Sequence, residues 1–271
     1  MSATAETPPA SRPLTASGPE KIVFVGGAPR SGTTVAHALI CSADGVGPYH
    51  PEASFLRGLL PAWRNGKVAW DSHTKAFFDD MEAFRLHMRA TVDLSLLHLW
   101  DVLERPAILS LKDPHLTPFF RDLRELYPDI GYFVTTCRNP LDVVRSRQEV
   151  HEKGQARPFS DADAAAIARE YVAYYTSVLQ TNFNGRHFMF RYEDLNTDRV
   201  RAGLAGFIGV DHFNVDRMWS SSKPVEQGGD WGSPKYDGPI VLEPRLSPLA
   251  EPWATQVREI CAPIMARVGY S

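Results

Sequence analysis

The stretch Ile22–Thr34, IVFVGGAPRSGTT, decides how the rest of the chain is read. Its first half, Ile22–Gly26, is a short apolar run closing on Gly-Gly, the pattern of a buried strand. Its second half spaces Gly27 and Gly32 as in the phosphate-binding pattern Gly-x-x-x-x-Gly-Lys-Ser/Thr, with Thr34 in the place of the final hydroxyl. The lysine of that pattern is missing, and Thr33 stands there instead. A strand, a glycine-rich loop and a helix from about Gly32 to Cys41 would aim backbone N–H groups at one spot, where the helix dipole favours an anion. Ser31, Thr33 and Thr34 add hydroxyl donors, and Arg30 adds a forked cation that suits a tetrahedral oxyanion.

Similar apolar runs recur along the chain. They are Ala107–Leu111, which leads into Lys112-Asp113-Pro114, then Gly131–Cys137, followed by Arg138, and Arg186–Arg191, followed by Tyr192. Between them, apolar residues at helical spacing over 74–104 predict one or two helices, and His115–Tyr127 predicts another, stopped by Pro128. Asn139-Pro140 reads as an N-cap with proline at the first helical position, opening a helix to about Glu152. A long amphipathic helix should follow, capped by Ser160 or Asp161, then one over about 197–208 and a last one over about Pro252–Val268. The Gly-, Pro- and Ser-rich stretch 209–250 predicts irregular structure. Strands alternating with helices imply an α/β fold: one P-loop-like three-layer domain, a central parallel sheet with helices on both faces. In such sheets ligands bind at the carboxyl ends of the strands, which is where Gly27–Thr34, Lys112, Arg138 and Tyr192 fall.

At 271 residues the chain suits one large domain, expected over 21–271 and preceded by a loose Pro-, Ser- and Thr-rich tail over 1–20. That tail lacks the basic and apolar regions of a signal peptide, and no run reaches the roughly 18 apolar residues of a membrane span. A net charge of -3 gives no global pull toward nucleic acid or an anionic membrane. Cys41, Cys137 and Cys261 are odd in number and far apart, which argues for a reducing compartment and against a disulfide framework or a zinc site. The histidines show no metal-ligand spacing, and no metal is expected.

A lysine and a Mg²⁺ together neutralise a triphosphate. A ligand with less charge at its reacting end manages without them, and a phosphosulfate is one. PRSGTT at Pro29–Thr34 resembles the 5′-phosphosulfate loop of PAPS-dependent sulfotransferases, in the bacterial and tyrosylprotein branch. CRNPLDVVRS at Cys137–Ser146 is similar to the second motif of that family, an Arg at a strand end and a Ser eight residues on. LKDP at Leu111–Pro114, FRYEDL at Phe190–Leu195 and CAPIMARVGY at Cys261–Tyr270 extend the resemblance from about 22 to 270.

The resemblance implies PAPS as sulfuryl donor, PAP as product and a hydroxyl as acceptor. It assigns Arg30, Ser31, Gly32, Thr33 and Thr34 to the phosphosulfate, Arg138 and Ser146 to the 3′-phosphate, and Tyr192 to the same region. Ser222, or Ser221 beside it, would match a further cofactor-touching serine. Sulfuryl transfer to a hydroxyl needs a base, and VGPYHPEASFL offers His50 and Glu52. In the resembling branch a Glu about 21 residues beyond the loop Arg is the base, and Glu52 lies 22 beyond Arg30. Lys112 matches a lysine that contacts the transferring group, so the missing cation would enter from another strand. Segments 53–105, 150–162 and 209–250 should shape the acceptor pocket, with Phe55, Trp63, Trp70, Phe77 and Trp231 available to line it. A small hydroxylated metabolite suits a cytoplasmic bacterial enzyme, with no nucleic acid or membrane partner. Peptide tyrosine sulfation, a small-molecule kinase on the same architecture and a non-catalytic PAP-binding module are the alternatives.

Overall fold

A computed structural model describes residues 18–154, 157–218 and 247–270. Most of the expected 1–20 tail, and Ser221, Ser222 and Trp231, lie outside the described residues. Four strands, β1 (Lys21–Gly26), β2 (Ile108–Lys112), β3 (Gly131–Cys137) and β4 (His187–Arg191), form one parallel sheet in the order β2-β1-β3-β4. The eight α-helices of the described residues are α1 (Thr33–Ile40), α2 (Leu56–Val68), α3 (Met81–Val102), α4 (Phe120–Leu126), α5 (Pro140–Gly154), α6 (Asp161–Gln180), α7 (Asp198–Ile208) and α8 (Trp253–Val268).

The alternation along β1 explains the three layers. Ile22 and Phe24 face one way, into a cluster with Leu109, Leu111 and Phe133 that α2, α3 and α4 cover. Val23 and Val25 face the other way, with Ile108, Val134 and Phe190 beneath α1 and α7. With both faces buried, the strand reads as a continuous apolar run rather than an alternating one. A third cluster joins α5, α6 and α8 around Val144, Ala168, Tyr175, Val257 and Cys261. The chain passes from β1 outward to β2 but from β3 outward to β4 on the other side, so the connections diverge between β1 and β3. The loops that follow those two strands flank this switch point, where such sheets hold ligands.

Caps match the expected helix starts. Asn139 accepts the Leu141 N–H at 3.0 Å, and Thr197 caps α7. Of the two candidates for α6 it is Ser160 that caps, in a reciprocal box with Asp163. Two stretches differ from the sequence reading. The helix expected over His115–Tyr127 is a 3₁₀ stretch, Pro114–Phe119, followed by the short α4, because Pro118 lacks an N–H and the buried Asp113 carboxylate ties the first turn through the His115 N–H. Helix α2 was not anticipated, since Gly58, Pro61 and Gly66 interrupt its propensity. Tertiary packing overrides this: Leu56, Leu60 and Trp63 bury one stripe, and the Phe84 ring lies where a side chain at Gly66 would sit. Of the aromatics expected near an acceptor, Trp63 is a core residue, whereas Phe55 and Phe77 are exposed.

The three cysteines are free and buried, and burial pushes the Cys137 and Cys261 thiols up to about 12. Such thiols are not nucleophiles near neutral pH. Among the described residues no helix is long and apolar enough to cross a membrane.

His187 opens β4, stacks on Phe183 and reaches the Thr135 hydroxyl at 2.9 Å. Burial lowers its imidazole from 6.5 to about 4. The folded state then binds fewer protons than the unfolded one between those values, so stability falls as pH drops through that window. His187→Gln should flatten this acid limb of the melting temperature; a limb identical in the two proteins would assign it to other groups.

Candidate anion-binding active site

The loop after β1 is built to leave its backbone uncovered. Gly27 has φ +144°, and a side chain there would meet the Thr136 carbonyl. The loop is held from behind: Gly27 N–H donates to the Thr117 hydroxyl at 2.7 Å, Ala28 N–H to the Tyr175 hydroxyl at 3.2 Å, and the Tyr175 hydroxyl donates to Thr136 O at 2.7 Å. Ser31 is fully buried, and its hydroxyl bonds the Thr136 hydroxyl at 3.0 Å. Arg30 and Gly32, at φ 74° and 93°, bracket it in the left-handed region. A non-glycine residue there stores of order 1–3 kcal/mol, a cost the surrounding structure has to impose.

Helix α1 then starts at Thr33 with no side-chain cap and no acidic residue in its first turn. The N–H groups of that turn have no intrahelical acceptor, and its dipole is uncompensated by the chain. Gly32 is the tightest point: a Cβ there would overlap the Tyr192 ring, at a backbone angle that already excludes most side chains. Gly32→Ala should therefore abolish anion binding at this loop while the core, which it does not touch, keeps the fold; unchanged binding by calorimetry would show the loop is not the site.

Lys112 closes β2 directly beside β1, in register with Val25. Its buried ammonium donates to the Thr34 hydroxyl at 3.0 Å and to Glu52 Oε1 at 2.7 Å. The Glu52 side chain is 43% exposed, so the pair joins the closed loop to open solvent. On the other side of the loop, Arg30 Nε donates to the Ser146 hydroxyl on α5 at 2.9 Å. Arg138, which follows β3, reaches the Arg30 carbonyl at 3.5 Å and holds its guanidinium 5.0 Å from the centre of the Tyr192 ring. Thus Arg30, Ser146, Arg138, Tyr192 and Gly32 form one group, and Thr34, Lys112 and Glu52 another, on opposite sides of residues 30–34. The C-terminus is tied in: the Tyr270 hydroxyl lies 2.6 Å from the Glu193 carboxylate and 3.1 Å from Cys137 O.

His50 behaves differently from a free base. Its Nδ1 lies 2.8 Å from Pro51 O and its Nε2 2.8 Å from Ser110 O. Beside the Lys112 pair, Arg57 lies 3.0 Å from the fully buried Asp113 carboxylate, which burial raises. Among the described residues no three His, Cys, Asp or Glu side chains are placed to share a metal.

A sequence profile of the sulfotransferase family matches residues 22–205, more than half of the chain. The chain belongs to the sulfotransferase family. Its fold is also that of solved sulfotransferases. A sulfotransferase from Alicyclobacillus acidocaldarius superposes with a TM-score of 0.54 at 16% identity, over 93% of this chain and 96% of that one. The sulfotransferase domain of the Synechococcus PCC 7002 olefin synthase does so with a TM-score of 0.51 at 19% identity, over 91% and 94%. No curated protein sequence matches the chain significantly.

Family membership implies PAPS as the sulfuryl donor and PAP as the product. The residues of this sulfotransferase fit such a ligand. Two phosphate-bearing ends call for two clusters of donors; the loop and α1 supply N–H groups and hydroxyls, and Arg138, Arg30 and Ser146 supply a second, cationic cluster beside it. Ser31 fits in another sense than expected, since its hydroxyl is used to hold the loop against β3. Sequence reading missed the props of the cradle, Thr117, Thr136 and Tyr175. A hydroxyl at the end of a strand, as in Thr136 two residues before Arg138, was the one signal available.

Proposed function

We propose that this sulfotransferase transfers a sulfuryl group to a hydroxyl of a small-molecule acceptor, with Glu52 as the general base. The observation that carries this reading is the chain Glu52–Lys112–Thr34, which joins a half-exposed carboxylate to the anion-binding loop through one buried ammonium. PAPS supplies the sulfuryl group together with a phosphate leaving group. Glu52 accepts the proton of the acceptor hydroxyl, and its exposure lets an acceptor reach it. Lys112, the Thr33 and Thr34 hydroxyls and the first N–H groups of α1 face the end where negative charge builds. Lys112 thus takes the place of the lysine that the loop lacks. Arg138, Ser146 and Tyr192 hold the 3′-phosphate. Arg30 lies between the two ends, and its contact with Ser146 lets it orient either. No metal is needed for this division of labour, and a single domain over 21–271 working in the cytoplasm is part of the same reading.

Two measurements test it. Calorimetry without Mg²⁺ should find PAP binding and no comparable binding of ATP; the reverse result would favour a kinase. Ser146→Ala and Arg138→Ala should each weaken PAP, by about 1–3 kcal/mol where a charge-assisted bond is lost. Labelled PAPS with a panel of phenols, alcohols and tyrosine peptides should label the small hydroxylated compounds. Labelling of the peptides alone would overturn the choice of acceptor class.

A further inference from the structure

The segment 47–53, between α1 and α2, has no regular secondary structure, yet it carries Glu52 to Lys112. Its start is tied to β2 by the Gly47 N–H, which donates to Ile108 O at 3.0 Å, and two further ties flank Glu52. On the far side of Glu52, the Ala53 N–H donates to Lys112 O at 3.1 Å. On the near side the tie is His50, whose ring spans from Ser110 O on β2 to Pro51 O. The Pro51 carbonyl belongs to the peptide bond whose nitrogen is that of Glu52. The ring therefore grips the peptide unit that enters the base, as Ala53 grips the one that leaves it.

A carbonyl oxygen only accepts, so both contacts are hydrogen bonds only when both ring nitrogens donate. That is the imidazolium. A neutral ring makes one of the two bonds and turns a lone pair toward the other carbonyl.

We infer that His50 is a positioning residue for the base: its ring clamps the Glu52 peptide to β2 beside Lys112, with both ends engaged in the imidazolium form alone. This rests on the reading of Glu52 as base. The groups that face the ring are Lys112 and Ser110 from β2 and His37 from α1, edge-on at 4.8 Å, and His37 is in turn touched by Tyr49 and Cys41. Burial lowers the His50 imidazole below the usual histidine range; the Ser110 and Pro51 carbonyls oppose it, and Lys112 adds a smaller lowering. Burial holds His37 lower still, so that ring is neutral and adds no competing charge. As pH rises through the lowered value, one end of the clamp lets go. The same geometry leaves the clamped ring no lone pair with which to act as the base itself.

The test compares His50→Gln, which keeps a single donor nitrogen and does not titrate, with His50→Leu, which keeps none. The readout independent of turnover is the protection of the Ala53 amide against hydrogen exchange in the ligand-free protein. Wild type should lose protection as pH crosses the His50 titration, followed by the ring nitrogen shifts. His50→Leu should be unprotected throughout, and His50→Gln intermediate and flat with pH. In turnover, His50→Leu should lose about tenfold to a hundredfold in kcat, the scale of a small misplacement of a catalytic group, with the Kd for PAP unchanged. His50→Gln should recover part of that loss. Equal Ala53 protection in the three proteins would overturn the clamp, as would equal turnover. Equal, large losses of kcat in both variants with Ala53 still protected would also overturn it, by putting the ring in the chemistry. If Glu52→Gln keeps its activity the reading of the base fails, while the exchange result still reports on the clamp, so the two failures are told apart.

Discussion

Glu52→Gln should cut kcat by about 10²–10⁴-fold, the usual contribution of a positioned base. The amide is nearly isosteric and its oxygen can still accept from Lys112, now 2.7 Å from Oε1. What it cannot do is take a proton. The loss should fall on kcat and kcat/KM together, because the interaction removed is made in the transition state. PAP affinity should not change, since Arg138 and Ser146 lie across residues 30–34 from Glu52. Single-turnover assays with labelled PAPS measure all of this, and activity within about tenfold of wild type would remove Glu52 from the role.

Lys112→Met should lose about 10²–10³-fold in kcat, the scale for one preorganised donor facing developing charge. Methionine fills the space of the stem, so the fold is retained. Glu52, left without the ammonium, is half-exposed and keeps water as a partner, so most of the penalty for breaking a buried pair is avoided. A lowered turnover in a protein that melts no earlier would therefore separate chemistry from packing. The double variant Glu52→Gln, Lys112→Met should lose far less than the product of the single losses, because the two groups touch and act as a unit. Full additivity would mean that they act independently and that their contact has no catalytic meaning.

Much of this was legible from residue types and spacing. β1, β2 and β3 were readable because both their faces are buried and their residues run largely apolar, and the half-buried edge strand β4 because Phe188, Met189 and Phe190 stand together. The loop was readable because its two glycines sit where a backbone must approach a ligand. Helix starts at Asn139 and at Ser160 or Asp161 followed from capping chemistry, which is local. The family followed from two motifs a fixed distance apart, and the profile match over 22–205 bears it out.

Helix α2 was not legible, because Gly58, Pro61 and Gly66 speak against it locally and its stripe of Leu56, Leu60 and Trp63 gains meaning only against β2 and α3. Lys112 was named as the missing cation through the family resemblance and through no local signal. A lysine at a strand end is ordinarily solvated; the parallel register of β2 with β1 is what buries it 3.0 Å from Thr34.

By itself, then, the sequence determined the layered α/β fold, the glycine-rich loop between β1 and α1 and the family, all of which rest on periodicity and short motifs within single elements. Only the tertiary structure decided that Arg30 meets Ser146, that Thr117, Thr136 and Tyr175 brace the loop, and that the His50 ring spans two carbonyls instead of standing free. Apart from the His50–Pro51 contact, these reach across 39 to 147 residues of chain, set by which strands lie side by side, and nothing local in the sequence encodes them.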